Sequence, residues 1–251
     1  MKIKSYLLVF ILGSIVMCSC SADQNQECIP SNLRRSVIAY YPFSNGSLKD
    51  HSIYNNRLTN LNAQVAEDRF GNPNCAYRFD GTTNTYLIGN GRFTDNFHKK
   101  PFSVSLWFKA TGYRDPADWE ALVSRFIAPD FWSQYWSIHL HDYRLPFSTV
   151  NTVVVIDIPP KGIHDEKRHE FYSDKWIHLV VTFDGKELKL YRDGIFDNKV
   201  NIINSSKTII NEGELYVGYN YTGSIDDIII FRKALSQDEV RQLYDMDACC
   251  D

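Results

Sequence analysis

Short apolar runs of period two, punctuated by turn chemistry, constrain this chain more than any other feature. Phe102, Val104, Leu106 and Phe108 alternate with Ser103, Ser105, Trp107 and Lys109, so a strand here turns one face to a core and the other outward. Residues 176–183, the pair Asp184-Gly185 and residues 187–191 form a hairpin signal, because an Asp-Gly pair adopts the positive φ angles of a tight turn. Asp80-Gly81 and Asp193-Gly194 mark further turns. More strands are predicted at 37–43, 76–79, 85–88, 121–125, 136–140, 150–158, 214–218 and 223–232. About a dozen short strands without an internal repeat predict an all-β fold, a two-sheet antiparallel sandwich rather than a propeller or solenoid. The period changes only near the end. Ser236 and Glu239 make a capping box, and Val240, Leu243 and Tyr244 line one side of a short C-terminal helix that should pack on the sandwich edge.

Charged residues are 23% of the chain and the formal charge is −3, which excludes a solvated disordered chain and gives no basic footprint for nucleic acid. At the N-terminus, Lys2 and Lys4 precede the apolar stretch 6–17 and the small residues 18–22, the order of a secretory signal. The uncharged run from Ser5 to Ala22 reaches the lower limit for crossing a bilayer, so an uncleaved anchor is the alternative. Cysteines directly after the apolar stretch resemble the lipobox of bacterial lipoproteins. That resemblance implies lipidation of Cys20, behind the small Ser19, with Cys18 as the alternative and ordinary cleavage as the remaining one. The organisation expected is a lipoprotein signal peptide at 1–19, a polar tether at 20–36 and one domain at 37–251. Its place is the bacterial cell envelope, held by lipid at the outer membrane or cell surface. Cys28, Cys75, Cys249 and Cys250 remain, an even number suited to an oxidising compartment. A bridge between the adjacent Cys249 and Cys250 is strained, so Cys28 and Cys75 are each expected to pair with one of them, in either connectivity. The alternative is that some of these thiols stay reduced.

Several segments in order resemble the laminin-G-like, concanavalin A-like jelly-roll domains of many bacterial surface proteins. They are Ala39-Tyr40-Tyr41-Pro42-Phe43 with Leu48-Lys49-Asp50-His51-Ser52, Ala76-Tyr77-Arg78-Phe79-Asp80-Gly81, and the strand from Phe102 to Phe108. Lys175-Trp176-Ile177-His178-Leu179-Val180-Val181-Thr182-Phe183-Asp184-Gly185 and Gly223-Ser224-Ile225-Asp226-Asp227-Ile228 follow, leading into Ala234-Leu235-Ser236. The resemblance implies a jelly-roll sandwich whose first and last strands are neighbours, which would bring Cys28 near Cys249 or Cys250. It implies no single activity, since the fold carries lectins, glycan-processing enzymes and adhesion modules.

The residues at 225–231 read as a strand apolar on both faces, with Ile225, Ile229 and Phe231 opposite Ile228 and Ile230. One of Asp226 and Asp227 therefore lies against apolar surface and needs compensation. By the resemblance, a structural Ca²⁺ would be held by Asp50 and Asp227. The other reading gives these aspartates hydrogen bonds from turn amides, or pairs them with Arg232 or Lys233. Aromatic residues concentrate between Trp119 and Trp136. Trp132 and Tyr135, beside Asp130 and Gln134 on a loop, can stack on a sugar ring and bond its hydroxyls, whereas Trp119, Phe126 and Trp136 read as packing residues. Trp107, on the serine face of its strand, is a further candidate as the floor of a groove, the alternative being that a loop covers it.

The sequence shows no acid pair of the kind glycosidases need, because Asp226 and Asp227, adjacent on a strand, point to opposite faces. Residues 164–170 read as a solvated loop, and His139 and His141 as a polar sheet surface rather than a metal site. The function expected is a membrane-anchored, non-catalytic carbohydrate-binding domain. The alternatives are a protein-interaction or adhesion component of an envelope assembly, and a glycan hydrolase assembling its acids from distant segments.

Overall fold

The computed structural model describes residues 28–112, 115, 118–129, 136–141, 144–150, 153–159, 165–202 and 212–248. Fifteen strands among these residues form two antiparallel sheets packed as the expected sandwich. The first sheet runs β13 (Ile195–Asn201), β12 (Glu187–Arg192), β11 (Ile177–Phe183), β6 (Phe102–Ala110), β15 (Thr222–Phe231), β4 (Ala76–Asp80) and β3 (Gln64–Ala66), with β1 (Val37–Tyr41) also paired to β15. The second runs β10 (Val153–Ile156), β9 (Leu145–Val150), β8 (Trp136–His141), β7 (Glu120–Phe126), β14 (Glu214–Val217), β5 (Tyr86–Gly89) and β2 (Thr59–Leu61). The pairing of β1 with β15 makes the first and last strands neighbours.

Alternation along β6 builds two cores. Phe102, Val104, Leu106 and Phe108 face the second sheet in the main core. The opposite face is covered by residues 28–36 and 235–246. Ile29 and Leu33 pack there with Tyr40, Ile229, Phe231 and Leu235, and with Val240 and Leu243 of the C-terminal helix α2 (Gln237–Tyr244). Burying each such aliphatic side chain contributes about 1.5–3 kcal/mol. The folded body therefore begins before Val37: residues 28–36, expected as tether, belong to it from Ile29 onward.

The capping box forms as the sequence requires, with Ser236 Oγ accepting from the Glu239 amide and Glu239 Oε2 accepting from the Ser236 amide. Asp193 and Gly194 both take positive φ in the two-residue turn joining β12 to β13. Gly194 is doubly constrained, since a Cβ there would also sit 2.9 Å from Tyr244 of α2.

Two local readings are corrected. In place of the loop expected over residues 164–170, Asp165–Tyr172 form a helix, α1, ending on the buried Tyr172. In β15, Ile225 shares the main core with Ile228 and Ile230, while Ile229 and Phe231 face the other way. The reason is a β-bulge between Asp226 and Ile229, with Asp227 at φ 46°, which inserts one residue and shifts the period.

Candidate ligand-binding cleft

The same bulge brings together two carboxylates that a regular strand would separate. Arg69 Nη1 bonds Asp227 Oδ2 and lies 3.3 Å from Asp226 Oδ2. Arg69 Nη2 donates to the Met246 and Asp247 carbonyls at 3.1 and 3.3 Å, and the guanidinium lies 4.6 and 4.7 Å from the ring centres of Phe70 and Trp107. The Tyr40 hydroxyl donates to Asp227 Oδ1 at 3.3 Å. Burial pushes both carboxyls upward, reinforced at Asp226 by the neighbouring Asp227, and Arg69 opposes the rise. The expected partners Arg232 and Lys233 do not reach the pair: Arg232 bonds Tyr54 and Lys233 bonds Glu239.

This arrangement does not fit the calcium ion expected at Asp50 and Asp227. Asp50 lies at the amide end of Tyr40 and Asp227 at its hydroxyl end. The Asp50 carboxylate is taken up by the amides of Tyr40, Ser52 and Asn56 and by the Ser52 hydroxyl, at 2.7–2.9 Å. At Asp227, a guanidinium already stands where a cation would have to enter, and Ca²⁺ takes six to eight oxygen ligands. No cluster of three or more metal-ligating side chains occurs among the described residues.

Trp107 is also corrected as a groove floor. Tyr244 of α2 stacks on it at 5.5 Å between ring centres and Arg69 lies against it, leaving it 9% exposed. The serine face attracted a helix instead of a ligand, and Ser103 Oγ bonds the Lys233 carbonyl and the Leu235 amide at its foot. Trp136 and Phe126 are buried as expected. His139 and His141 flank Trp119, and burial lowers His139 to about 3, so it stays neutral. Asp130, Trp132, Gln134 and Tyr135 lie outside the described residues, as do Cys20, Cys249 and Cys250.

A cleft of about 490 Å³ opens at the end of the sandwich where β1 begins and β15 ends. Its size falls within the range of about 300–1,000 Å³ common for small-ligand sites. One wall is the connection from β5 to β6, which crosses between the sheets and contributes Phe93, Asp95, Phe97, Lys100 and Pro101. Buried side chains pin this wall. The Thr94 hydroxyl accepts from Trp136 Nε1 at 3.1 Å, and Arg125 bonds Asp95 Oδ1 at 2.7 Å and the Gly213 carbonyl at 3.1 Å. Phe97 stacks on Phe102 with centres 4.2 Å apart. Ile38 supplies the floor from β1, and Tyr54 and Arg232 form the facing wall.

Asp50 thus has a different task from the one expected. By gathering the amides of residues 40, 52 and 56 it shapes the loop carrying Tyr54, whose ring stays 42% exposed. Arg232 donates to the Tyr54 hydroxyl at 2.7 Å and to the Arg35 carbonyl at 3.1 Å, which fixes its guanidinium at the rim. The cleft therefore combines aromatic and aliphatic walls with two cations and one carboxylate already paired to Arg125. Among the described residues its lining includes one carboxylate, Asp95, and no second one to flank a bond. Sequence reasoning missed Tyr54, Phe93, Phe97 and Lys100. The signal available for the last three was the aromatic and basic run Phe93 to Lys100, which lies outside every predicted strand and helix.

Solved structures with the same fold include the binding domain of botulinum neurotoxin serotype D, at 17% identity and a TM-score of 0.64, covering 85% of this chain and 52% of that one. The binding domain of Paraclostridial Mosquitocidal Protein 1 gives 20% identity and a TM-score of 0.65, covering 84% and 52%. A third is the serotype D ligand-binding domain in complex with N-acetylneuraminic acid, at 17% identity and a TM-score of 0.64, covering 85% and 51%. This chain spans about half the length of those domains, and at such identities the likeness is one of fold. No curated relative matches by sequence. The family model described as the concanavalin A-like lectin/glucanases superfamily matches residues 80–241, more than half of the sequence, and the chain belongs to that superfamily.

Proposed function

We propose that this protein is a non-catalytic carbohydrate-binding domain that holds a saccharide in the cleft between Tyr54 and the wall running from Phe93 to Lys100. The observation carrying this reading is the cleft itself: it is lined by the exposed Tyr54 together with Phe93 and Phe97, with Arg232 held at the rim by Tyr54 and Asp95 held by the buried Arg125. Aromatic faces accept the C–H surface of a sugar and the rim groups orient its substituents. Lectin-like superfamily membership supports it, as does a neighbour of the same fold solved with N-acetylneuraminic acid.

Glycan-array screening followed by titration calorimetry tests the reading. A binder should emerge, and Tyr54→Ala should weaken it by about tenfold or more while leaving the melting curve near wild type. If Tyr54→Ala binds normally and Trp132→Ala does not, the sugar sits at the loop of Asp130, Trp132, Gln134 and Tyr135. No binder in either assay removes the function.

The domain is proposed to sit on the bacterial envelope through lipid on Cys20, with Cys28 and Cys75 bridged to Cys249 and Cys250. Supporting the bridges, Cys28 packs against the apolar cluster to which Val240, Leu243 and Met246 belong, and Arg69, from the loop leading to Cys75, holds the carbonyls of Met246 and Asp247. Mass spectrometry of unreduced protein purified from membranes should find a diacylated N-terminal Cys20 and both cross-linked peptides. An unmodified N-terminus or free thiols at 28 and 75 would contradict this.

A further inference from the structure

The charge at the cleft rim goes beyond saccharide binding as such. We infer that the saccharide recognised here is acidic, carrying a carboxylate or sulfate that docks between Arg232 and Lys100, an inference resting on the carbohydrate-binding reading above.

Three observations carry it. The chain as a whole is acidic, at formal charge −3, yet the side chains meeting at this rim include two cations. The lining carboxylate, Asp95, is bonded at 2.7 Å to Arg125, a guanidinium 1% exposed, so its charge is answered from inside the protein. The positive potential of Lys100 and Arg232 is left to face the cleft. Finally, Arg232 is oriented before any ligand arrives: Tyr54 Oη and the Arg35 carbonyl take part of its donor set and aim the planar fork. A pre-oriented guanidinium loses little side-chain freedom when it bonds an oxyanion, and charge-assisted bonds are among the stronger ones available. Lys100, exposed and on a flexible stem, supplies the second charge without fixed geometry. Together they select for a negative group placed beside a ring lying on Tyr54. Arg232 would be the specificity-determining residue, and Tyr54 the platform for the sugar ring.

The test compares matched oligosaccharides by titration calorimetry: a uronate oligomer and its carboxyl-reduced counterpart, and a sulfated oligomer and its desulfated counterpart. At least one acidic member should bind about 10- to 100-fold more tightly than its neutral match, and more weakly as salt is raised. Preference for the uronate or for the sulfate identifies the group. Arg232→Gln should erase the preference. Because that change also releases Tyr54, Lys100→Gln, which alters an exposed side chain, should narrow the preference without moving the melting temperature. Sodium acetate and sodium sulfate at matching concentrations should not compete, since the ring supplies part of the affinity. Equal binding of acidic and neutral members overturns the inference while leaving carbohydrate binding intact. Binding of no saccharide defeats both, and displacement by simple salts reduces the site to a general anion site.

Discussion

Replacing Arg69 by methionine should destabilise the fold by about 3–5 kcal/mol near neutral pH, because it strands two buried carboxyls beside one another. Asp226 and Asp227 have side chains 3% and 6% exposed, and Arg69 bonds both. For a domain of this size, about 2–4 °C of melting temperature accompanies each kcal/mol, so the drop should be easy to see by calorimetry. Burial already raises both carboxyls, and without Arg69 they rise further. A group raised in the folded state adds stability as pH falls, so the variant should recover part of its loss on acidification. Replacing both aspartates with asparagine in the Arg69→Met background should also restore stability, since the cost comes from uncompensated charge. A loss below about 1 kcal/mol, or no recovery with the asparagines, would show that the guanidinium does not neutralise this pair. The same variant should loosen the C-terminal segment, because Arg69 holds the Met246 and Asp247 carbonyls.

The second large effect lies where the end of β10 meets α1 and β12. The Asp157 carboxyl, fully buried, accepts from the Tyr172 hydroxyl of α1 and from Arg192 of β12. Burial pushes its pKa up to about 7, with Asp197 adding to the rise and Arg192 and Tyr172 opposing it. The folded protein therefore holds a proton that the unfolded chain, with its ordinary carboxyl, releases at lower pH. The resulting stability is fully present below about pH 4 and is lost as pH rises through about 7. Denaturation of the wild type should show stability falling from pH 5 to pH 8.5. Asp157→Asn keeps the shape and cannot ionise, so it should flatten this slope and be the more stable protein at pH 8.5 by about 2–4 kcal/mol. Parallel pH profiles for the two proteins would mean that the Asp157 carboxyl ionises alike in the folded and unfolded chains. Because Asp226 and Asp227 contribute a slope of the same sign, the difference between the two proteins, not the wild-type curve alone, is the measurement.

Features encoded over a few residues were legible in the sequence. The alternation from Phe102 to Phe108, the Asp184-Gly185 hairpin and the Ser236 to Glu239 capping box all stand where their periods and turn chemistry put them. Each is decided by backbone geometry and side-chain direction within a single element. Features requiring convergence were not legible. Alternation assigned Ile225 to the wrong face because a bulge two residues later changes the count, and no period reveals an inserted residue. The need of the Asp226-Asp227 pair for a partner was legible, and turn amides were among the partners considered for these acids and Asp50, as Asp50 has them; the distant Arg69 that answers Asp226 and Asp227 was not. Trp107 faces the side predicted, and only the docking of α2 determines what covers it.

Sequence by itself determined the class of the molecule: antiparallel strands, their turns, a capped terminal helix and the acidity of the whole. Those properties follow from hydrophobic period and local hydrogen bonding, which neighbours along the chain settle between them. The tertiary structure alone decided how charge is answered inside it and where a ligand can lie. Arg69 meets Asp226 and Asp227 across 157 and 158 positions of chain. The cleft joins Tyr54, Phe93, Lys100 and Arg232 from three separate stretches. Burial makes each such meeting strong, and packing rather than local preference selects which side chains meet.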